Sequence, residues 1–501
     1  MSYSQQVSET LCEVVESKSD RSVGATVLLY ILIFWVALPS FLLITGFRLG
    51  ALVPVVWPAS DGTVFSGWAC ILVGSVLMAA SSGQLWRQGK GLPISHLPPT
   101  EFVARGIYRY LRHPIYVGYT LAFAGVSLLL GSFWSLTFSL TLLLWGWIGY
   151  VLFYEEPELI RRFGERYLEY RRTTALLLPK RLVIVLALAL QATLRALRRP
   201  VSRFANWTIM LRRGRLILVT YGTFVTLGAL IFMQWTSSLL IAQGVAKNHM
   251  AVLLVGSVLS VVFFARLFWW LGNLRTVLRE PLFGMKRVGF VSFGAFAGLI
   301  FFAFVFAGIN GYSVLMIHDA VLRGAFAAAA IGRLGCLTYG CCYGVRSRKY
   351  GILYRDCEAK VIREQGMRPM LRHPTQAYSF LKNSLLFVLL NVMAYKKLPA
   401  GFITAAAFLI YPMARTFVEL LRDRRRYLNG IFTDGHISCA AMFLAAWLLL
   451  FFISPSIDAA SPQPLTVAAI EQGLVLLPLI LSLSIISFIV TSLHWKNVGT
   501  L

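Results

Sequence analysis

Two arginines lie inside an apolar segment that has the length and composition of a membrane helix. Residues 323–344 read RGAFAAAAIGRLGCLTYGCCYG, and the small residues favour close packing against neighbouring helices. Arg323 and Arg333 are costly there, by about 2.5–3.5 kcal/mol for a charge at the bilayer centre, so such residues normally face a cavity or a partner. Gly340 and Gly344 follow, and glycines let a backbone approach a ligand closely. The segment therefore predicts an intramembrane site for an anionic lipid head group.

A second group of charges lies on a later apolar helix. Tyr411, Arg415, Glu419 and Arg422 recur at helical steps of four and three residues, so they share one face. Glu419 can pair with either arginine and prevent an uncompensated charge in the membrane. Several guanidinium groups in one membrane pocket would suit a phosphate diester, because each can donate two hydrogen bonds to phosphate oxygens. The alternative is structural ion pairing between helices, without a ligand.

A third group of polar residues flanks an apolar hairpin in the first half of the chain. Arg112 and His113 precede the hairpin, which spans residues 115–153, and Glu155 and Glu156 follow it. The hairpin returns the chain to the same membrane face, so the two sets should meet. A carboxylate can hold ribose hydroxyls or a cationic group, and an arginine can hold a carboxylate through two hydrogen bonds. The spacing fits equally well an interface in which tyrosines and arginines only anchor the helices.

Membrane helices must position these residues. The chain has 501 residues, of which 57% are hydrophobic and 14% charged, a composition typical of an integral membrane protein and long enough for two domains. Its net charge of +26 is carried between apolar runs, which indicates cytoplasmic loops and contact with anionic lipid rather than nucleic acid. The seven cysteines lack the spacing of a disulfide framework or a zinc finger. The adjacent Cys341 and Cys342 are expected to pack as small residues, without a metal.

About twelve apolar runs are long enough to cross a bilayer, which takes about 20 residues. They predict an all-α, polytopic integral membrane protein in two modules. The runs lie at residues 23–47, 64–81, 115–153 (two helices that turn at residues 131–132), 216–241, 250–272, 288–307, 313–331, 377–395, 401–421, 437–453 and 466–493. The polar start is too acidic for a signal peptide, so we expect insertion without cleavage.

The chain divides at a basic segment between the modules. We expect a polar tail (1–22), a first membrane domain (23–180), a basic linker (181–215), a second membrane domain (216–455) and an extra C-terminal transmembrane helix (456–501). Within the linker, residues 183–194 are apolar but too short to cross. The arginines that follow them, up to Arg215, fit an interfacial helix on anionic lipid and a positive-inside linker equally well.

The first module resembles the isoprenylcysteine carboxyl methyltransferase and phospholipid methyltransferase family. Residues 106–118, GIYRYLRHPIYVG, match the motif G-x-Y-x-x-x-R-H-P-x-Y-x-G, and residues 155–170 match E-E-x-x-L-x-x-x-F-G-x-x-Y-x-x-Y with one residue inserted. The resemblance covers residues 83–179. It implies S-adenosylmethionine bound on the cytosolic side, with Arg112 near the methyl acceptor. The cofactor-binding residues that it implies are His113, Tyr116, Gly118, Glu155 and Glu156. The family leaves a carboxylate, a lipid amine and a thiol open as acceptors.

The second module, residues 266–450, resembles the prolipoprotein diacylglyceryl transferase family. The matching motifs are GRLGC (332–336), GCCYG (340–344), RHPTQ-x-Y (372–378) and Y-x-x-x-R-x-x-x-E-x-x-R (411–422). Members transfer the diacylglyceryl group of phosphatidylglycerol to a lipobox cysteine thiol and release glycerol phosphate. The resemblance implies that Arg333 and Arg415 hold the phosphate, that Tyr411 lines the reacting centre and that Asp319 supports the arginines. Glu419 and Arg422 complete the implied catalytic set. The implied substrate-binding residues are Arg323, Asp319, Gly340, Gly344, Arg372, His373, Gln376 and Tyr378.

The second module departs from that family at three positions. Phe293 stands where the family has a histidine, Cys336 where it has an asparagine, and His436 where glutamine is usual. His318 lies elsewhere and is a candidate to compensate for the missing histidine. These changes are compatible with a lipid-phosphate site and leave the prolipoprotein acceptor open.

Together the motifs predict a bifunctional lipid-modifying enzyme of a bacterial-type inner membrane. Its expected partners are a phosphatidylglycerol-like phospholipid and a lipoprotein or lipid acceptor. One alternative is a methyltransferase whose second half only binds an anionic lipid. Another is a lipid transporter, but the two halves show no inverted repeat. The methyl donor and the basic loops predict that both sites face the cytoplasm, whereas the resembled transferase family works on the outer face.

Overall fold

The computed structural model describes residues 28–55, 60–90, 99–174, 199–274, 278, 291–347, 351–363, 371–396, 398–423, 434–458, 460–495 and 498. The chain divides into two compact units, Met1–Ala189 and Leu190–Leu501. Within the described residues, nine helices are long and apolar enough to cross a membrane, and two shorter apolar helices accompany them. The predicted polytopic, predominantly helical membrane fold is confirmed.

The described part of the first unit contains four apolar helices followed by two short polar ones. They are α1 (Leu28–Leu52), α2 (Asp61–Gly89), α3 (Pro114–Leu129), α4 (Ser135–Tyr150), α5 (Glu156–Phe163) and α6 (Glu165–Thr173). Ser60 and Thr63 form a capping box at the start of α2. Pro114 begins α3, where its missing N–H costs nothing. Gly131, with a φ of +60°, starts the return after α3, so the predicted turn of the hairpin is found where expected.

Glycines bring α2 and α3 into close contact. A Cβ at Gly118 would lie 2.7 Å from the carbonyl oxygen of Gly74, and one at Gly125 would lie 2.5 Å from that of Gly67. A residue with a side chain would not fit at either position. This is the small-residue packing that membrane helices use. The contact fixes the start of α3, and with it the Arg112–His113 segment, against α2.

The second unit consists of helices and two small sheets. Its elements are β1 (Ile209–Arg213), β2 (Leu216–Val219), α7 (Thr220–Ala242), α8 (Lys247–Gly272), α9 (Ser292–Asn310), α10 (Val314–Tyr339), β3 (Ile352–Leu353), α11 (Lys360–Arg363), β4 (Leu371–Arg372), α12 (Thr375–Met393), α13 (Phe402–Leu420), α14 (Asp434–Phe452), α15 (Val467–Gly473), α16 (Leu477–Ser492) and β5 (Leu493–Trp495). Strands β1, β2 and β5 form one antiparallel sheet, and β3 pairs with β4. Helix α10 is the most buried of the candidate membrane spans.

The C-terminal segment is built into the second unit. A Cβ at Gly222 would lie 2.2 Å from the Ser492 hydroxyl, and one at Gly473 would lie 2.3 Å from the Ser238 hydroxyl, so α15 and α16 pack tightly on α7. Strand β5 then pairs with β2. Residues 456–501, which we expected to be an extra transmembrane helix, therefore also complete a sheet of the second unit.

The basic segment before α7 is helical over residues 199–205 and forms two strands after them. Residues 209–219 form a β-hairpin that turns at Gly214, whose φ is +61°. The interfacial-helix interpretation is therefore wrong for these residues, and the span predicted from Leu216 begins as a helix only at Thr220. Thr208 donates to the Thr338 carbonyl at 2.9 Å, so the hairpin and the end of α10 lie together. The predicted apolar segment 183–194 lies outside the described residues.

Candidate active sites

The carboxylate of Glu156 is the centre of the polar cluster in the first unit. Arg112 forms a buried ion pair with it, the two side chains being 10% and 2% exposed. Arg171 Nε lies 3.3 Å from the second carboxylate oxygen. Arg171 was not predicted, although its place one residue after the E-E…Y-x-x-Y motif put it on the helix that returns to this face. The structure thus brings the two predicted flanks of the hairpin together.

Glu155 contacts His113 and Tyr116, the other two residues predicted for this cluster. His113 Nδ1 lies 3.3 Å from Glu155 Oε1, and the Tyr116 hydroxyl donates to Glu155 Oε2 at 2.6 Å. The Tyr116 ring stacks on Trp147, with ring centroids 4.5 Å apart. Because Trp147 lies on α4, the hairpin itself positions this part of the cluster. His113, Tyr116, Glu155 and Glu156 therefore form one contiguous group.

The charges of the group are set by its own contacts. Burial would raise the pKa of Glu156, but His113 and the guanidinium groups of Arg112 and Arg171 bring it below its usual value. Burial would lower the pKa of His113, but Glu155 and Glu156 raise it above its usual value. The contacts within the group therefore favour the charged forms of Glu156 and His113.

Two polar atoms of this array have spare hydrogen-bonding capacity. His113 Nε2 lies 3.9 Å from Glu156 Oε1, beyond hydrogen-bond distance, and among the described residues it has no partner. Arg112 Nε has none there either. A buried donor without a partner costs free energy, which a bound polar group would recover. These residues can therefore hold a ligand that presents carboxylate or hydroxyl oxygens.

Gly118 lies apart from the array. Its missing side chain makes room for the Gly74 carbonyl and the Met78 side chain of α2. The structure therefore gives this glycine a helix-packing role, and the direct cofactor contact that the resemblance implied stays a prediction. It acts on the array by fixing where α3 begins.

In the second unit, Arg415 and Lys382 meet at the ring of Tyr411. Arg415 donates to the Tyr411 hydroxyl at 3.1 Å, and Lys382 Nζ lies 3.6 Å from the ring centroid. Arg333 is near enough to repel both cations electrostatically. Within the described residues, Arg333 makes no ion pair or hydrogen bond. We call Arg333, Lys382, Tyr411 and Arg415 the cationic pocket.

Glu419 joins the cationic pocket to Arg422. Its Oε2 atom lies 3.2 Å from Arg415 and 3.3 Å from Arg422, and both arginines are almost fully buried. Gly435 packs against this carboxylate, so α14 closes one side of the pair. One carboxylate therefore serves two arginines, and the pocket keeps a net positive charge. The predicted face of α13 is present as expected.

Arg323 and Asp319 do not reach the cationic pocket. Arg323 lies about 15 Å from Arg333 along α10, at about 1.5 Å per residue. It donates to Asn391 Oδ1 at 2.9 Å and to the Gln463 carbonyl at 2.7 Å, which ties three segments together. Asp319 accepts from the Gly401 and Thr404 amides and from the Thr404 hydroxyl, so it caps the start of α13. Asp319 also attracts Arg323 electrostatically, and its support of Arg333 and Arg415 stays a prediction.

The loop after α10 is held by the residues that were predicted to bind substrate. Arg372 donates to the Gly344 carbonyl at 3.0 Å and to Asp423 Oδ2 at 2.9 Å. Gln376 donates to the Cys341 carbonyl at 2.6 Å. A Cβ at Gly344 would lie 2.7 Å from the carbonyls of His373 and Leu421, so this glycine admits the protein's own backbone. Arg372, Gln376 and Gly344 therefore shape the loop, and their polar atoms are turned inward.

Three further predicted residues lie around the same loop. Gly340, with a φ of +71°, ends α10 in the left-handed conformation that favours glycine. His373 Nδ1 has no partner among the described residues, and burial lowers the pKa of this imidazole. Tyr378 lies half-buried on the first turn of α12. His373 Nδ1 is therefore one polar atom here that is available for a ligand.

Aromatic rings take the place of the missing histidine. Phe293 packs against Phe268, with ring centroids 5.6 Å apart, and Phe296, one turn later, lies beside Tyr411 at 6.5 Å. His318 does not compensate, because its two ring nitrogens contact the carbonyls of Val314 and Ile300. The pocket wall contributed by α9 is therefore apolar.

Sequence reasoning missed Lys382 and Phe296. The signal for Lys382 was present, since a lysine inside the apolar run 377–395 needs the same explanation as a buried arginine. Phe296 carried no local signal, because phenylalanine is common throughout these helices. Only the packing of α9 against α10 and α13 places it at the pocket.

Comparison with known proteins assigns both halves of the chain. Residues 208–452 match the family model for prolipoprotein diacylglyceryl transferase, and residues 63–166 match the model for phospholipid methyltransferase. A relative from Gloeobacter violaceus named phosphatidylglycerol–prolipoprotein diacylglyceryl transferase is 30% identical over 208 residues, which are 40% of this chain and 76% of the relative.

The first half is similar to shorter parts of two methyltransferases. A protein-S-isoprenylcysteine O-methyltransferase from Schizosaccharomyces pombe is 41% identical over 70 residues, which cover 14% of this chain and 29% of the relative. A methanethiol S-methyltransferase from Mycobacterium tuberculosis is 28% identical over 117 residues, which cover 23% and 45%. The chain thus spans less than half the length of either methyltransferase.

Both matching families consist of transferases, and the two matches do not overlap along the chain. The cationic pocket lies within the first match reported and the His113–Glu156 array within the second. The chain is therefore a multi-pass membrane transferase that belongs to the prolipoprotein diacylglyceryl transferase family through residues 208–452 and carries a phospholipid methyltransferase-like domain before them.

Proposed function

We propose that the chain is a bifunctional lipid-modifying enzyme of a bacterial inner membrane. Its second half transfers the diacylglyceryl group of phosphatidylglycerol to an acceptor thiol or alcohol, and its first half transfers a methyl group from S-adenosylmethionine. The observation that carries the first part is the cationic pocket, where Arg333, Lys382 and Arg415 surround Tyr411 with one carboxylate nearby. Unbalanced positive charge inside a membrane favours an anionic ligand.

The transfer needs charge stabilisation at one phosphate. The acceptor sulfur or oxygen forms a bond to the terminal glycerol carbon, the bond from that carbon to the phosphate oxygen breaks, and its electron pair stays on the released glycerol phosphate. The acceptor's proton passes to solvent or to that phosphate. The phosphate gains negative charge along this path, so the guanidinium groups of Arg333 and Arg415 bind the transition state more strongly than the diester. Glu419 keeps Arg415 pointed at Tyr411.

The experiment is head-group release from phosphatidylglycerol vesicles by purified wild-type and variant protein. Arg333→Lys and Arg415→Lys keep the charge but lose the two-pronged donor, so each should lower turnover by about 100-fold, or about 2.7 kcal/mol. Arg323→Lys, on the same helix as Arg333 but outside the pocket, is the matched control and should keep turnover within about threefold once folded. Equal losses in all three variants would indicate a folding defect and would contradict the assignment.

The methyl-transfer half rests on the array around Glu156. Bound S-adenosylmethionine would supply a methyl group on a sulfonium, whose transfer depends mainly on positioning. His113 and Arg112 have donors available for polar groups of the cofactor, and Glu155 and Glu156 provide negative charge for its cationic centre. Tyr116 holds Glu155 in place. The methyl acceptor would be a lipid or thiol that reaches this face.

Calorimetry of the purified protein tests this half. Glu156→Gln and His113→Ala should abolish binding of S-adenosylmethionine, whereas Glu158→Gln, at an exposed neighbouring carboxylate, should leave it unchanged. Head-group release by Glu156→Gln should remain normal if the two activities are separate. Unchanged affinity in both array variants would remove the cofactor assignment and leave the transferase half standing.

A second candidate is a methyltransferase whose second half only binds an anionic lipid. Phe293, where the family has a histidine, favours this candidate, since the described α9 wall of the pocket is apolar and offers no base. Absence of head-group release from every anionic phospholipid, with retained phosphatidylglycerol binding, would support it.

A further inference from the structure

Three cysteine thiols meet beside the cationic pocket. Cys336 lies near the end of α10, and Cys341 and Cys342 follow the helix. Their three sulfur atoms all lie within 4.8 Å of one another. The adjacent pair was expected to pack as small residues, because two neighbouring cysteines rarely bind one ion. Cys336, on the helix, contributes a third thiol, and three thiols at this spacing could hold one ion.

The backbone that assembles the thiols is held by other residues. Gly340 ends α10 at a φ of +71°, and Cys342 itself has a φ of +56°, a conformation that is uncommon for any residue with a side chain. Thr375 donates to the Cys342 carbonyl at 2.7 Å and Gln376 to the Cys341 carbonyl at 2.6 Å. The start of α12 therefore fixes the loop in a strained form. Among the described residues, the thiols add to this only one long contact, from Cys341 Sγ to the Cys336 carbonyl at 3.9 Å, so they are available for chemistry.

Two arginines lie close to the thiols. Arg333 lies three residues before Cys336, on the same face of α10, and both Arg333 and Arg422 interact electrostatically with Cys342. Two guanidinium groups would offset much of the charge of three thiolates. The cluster contains no carboxylate or imidazole ligand. Ligands of this kind select soft ions such as Zn²⁺ and Cu⁺ over Mg²⁺ and Ca²⁺.

We propose that Cys336, Cys341 and Cys342 bind one thiophilic metal ion, Zn²⁺ or Cu⁺, through three thiolates. Zinc–sulfur bonds are about 2.3 Å long, so sulfurs at this spacing reach one ion after small side-chain rotations. Three protein ligands leave the fourth position of a tetrahedral zinc ion open, which is the arrangement of catalytic rather than structural sites.

The open position suits the acceptor of the proposed transfer, and this step rests on the proposed function. An acceptor thiol that binds the ion releases its proton to solvent and becomes a thiolate at neutral pH. Its sulfur then forms the bond to the glycerol carbon while the carbon–oxygen bond to phosphate breaks, and the metal–sulfur bond is released. The ion would thereby supply the activation that a histidine at position 293 cannot, since that residue is Phe293.

The first experiment measures metal in the full-length protein. Protein purified in detergent with a phosphine reductant and exposed to zinc or to copper(I) should retain about one equivalent after gel filtration, by mass spectrometry of the element. Cys336→Ser, Cys341→Ser and Cys342→Ser should each lower retention by more than tenfold. Cys357→Ser, at an exposed cysteine of the same unit, is the matched control and should retain the metal.

The second experiment uses Co²⁺ in the wild type, so it does not depend on the folding of any variant. Three thiolate ligands should give an intense near-ultraviolet charge-transfer band, and a short cysteine peptide should shift the visible bands, whereas its serine counterpart should not. Retention of less than a tenth of an equivalent of zinc and copper by fully reduced wild-type protein overturns the metal site. Bound metal with no response to the peptide overturns the acceptor role. Neither readout requires head-group release, so failure of the proposed transferase function is recognised separately.

Discussion

At the scale of single residues, the two candidate sites differ in how their charges are balanced. In the first unit, Glu156 is surrounded by Arg112 and Arg171, and His113 is enclosed by carboxylates. In the second unit, Glu419 is the only carboxylate among the described residues seen to pair with the pocket's cations. The first arrangement suits a zwitterionic ligand, and the second suits an anion.

The balance around His113 predicts a pH dependence of stability. Because folding raises the pKa of His113, its contribution to stability is complete below the unfolded pKa of about 6.5 and is lost as pH rises through the higher folded value. The thermal midpoint of wild type minus that of His113→Gln should therefore be largest near pH 6 and should shrink at higher pH. A difference that is constant with pH would contradict the array.

Glu156 predicts a loss of folding stability at acid pH. Folding lowers its pKa, so its contribution is present above the unfolded value of about 4.3 and is lost as pH falls through the folded value. Glu156→Gln should therefore remove the acid-side loss of stability below about pH 4.3.

The position of Lys382 predicts that its replacement by methionine and by arginine will affect the KM for phosphatidylglycerol differently. Lys382→Met removes one cation from the pocket and should raise the KM for phosphatidylglycerol about tenfold, which corresponds to about 1.4 kcal/mol, with a smaller effect on kcat. Lys382→Arg should restore most of the affinity. The measurement is head-group release over a range of lipid mole fractions. Unchanged KM in the methionine variant would exclude Lys382 from the lipid-phosphate site.

At the scale of elements, close helix contacts hold the polar residues in place. Helix α3 is pressed against α2 through paired glycines, and α10 meets α7 where a Cβ at Gly335 would lie 2.9 Å from the Tyr221 carbonyl. The hydrophobic effect does not drive helices together in lipid. Close van der Waals packing at small residues holds them together instead. Glycines at these helix contacts therefore help to position the polar clusters of both units.

Gly118 tests this dependence. Gly118→Val would force α3 away from α2, and overpacking of this kind costs about 1–3 kcal/mol. We expect a lower thermal midpoint of the first unit and weaker S-adenosylmethionine binding. Gly83→Ala, on α2 with nothing within 4 Å of the added Cβ, is the matched control and should change neither. Normal stability of the valine variant together with lost cofactor binding would instead indicate a direct contact between Gly118 and the cofactor.

At the scale of the whole molecule, the distribution of charge predicts which membrane face each site opens to. Within the second unit, the basic β-hairpin and the end of α10 lie together, and Arg212 pairs with Glu358 of the following loop at 3.2 Å. Positive charge at this end predicts a cytoplasmic orientation. The first unit is expected to face the cytoplasm as well, because its methyl donor is made there.

A fused alkaline phosphatase determines the orientation of the second unit. The reporter inserted at Lys349 should be inactive, and the same reporter inserted at Gly244, in the turn between α7 and α8, should be active. Activity at Lys349 and none at Gly244 would contradict a cytoplasmic second site. That outcome would favour a secreted, lipobox-bearing acceptor.

The amino-acid sequence by itself determined the helices, the division into two modules and the residue sets with local spacing. Apolar runs of membrane length predicted the helices because bilayer thickness leaves little choice. Helical periodicity placed Tyr411, Arg415 and Glu419 on one face, and the hairpin implied that Arg112 would meet Glu156.

Only the tertiary structure decided which of these residues have partners. Arg323 and Arg333 carry the same local signal, yet Arg323 is enclosed by Asn391 and the Gln463 carbonyl while Arg333 faces the cationic pocket. Lys382 joins the cationic pocket only because α12 packs beside α13. The physical reason is that the direction of a side chain follows from its own helix, whereas its neighbours come from distant segments whose packing short-range patterns do not encode.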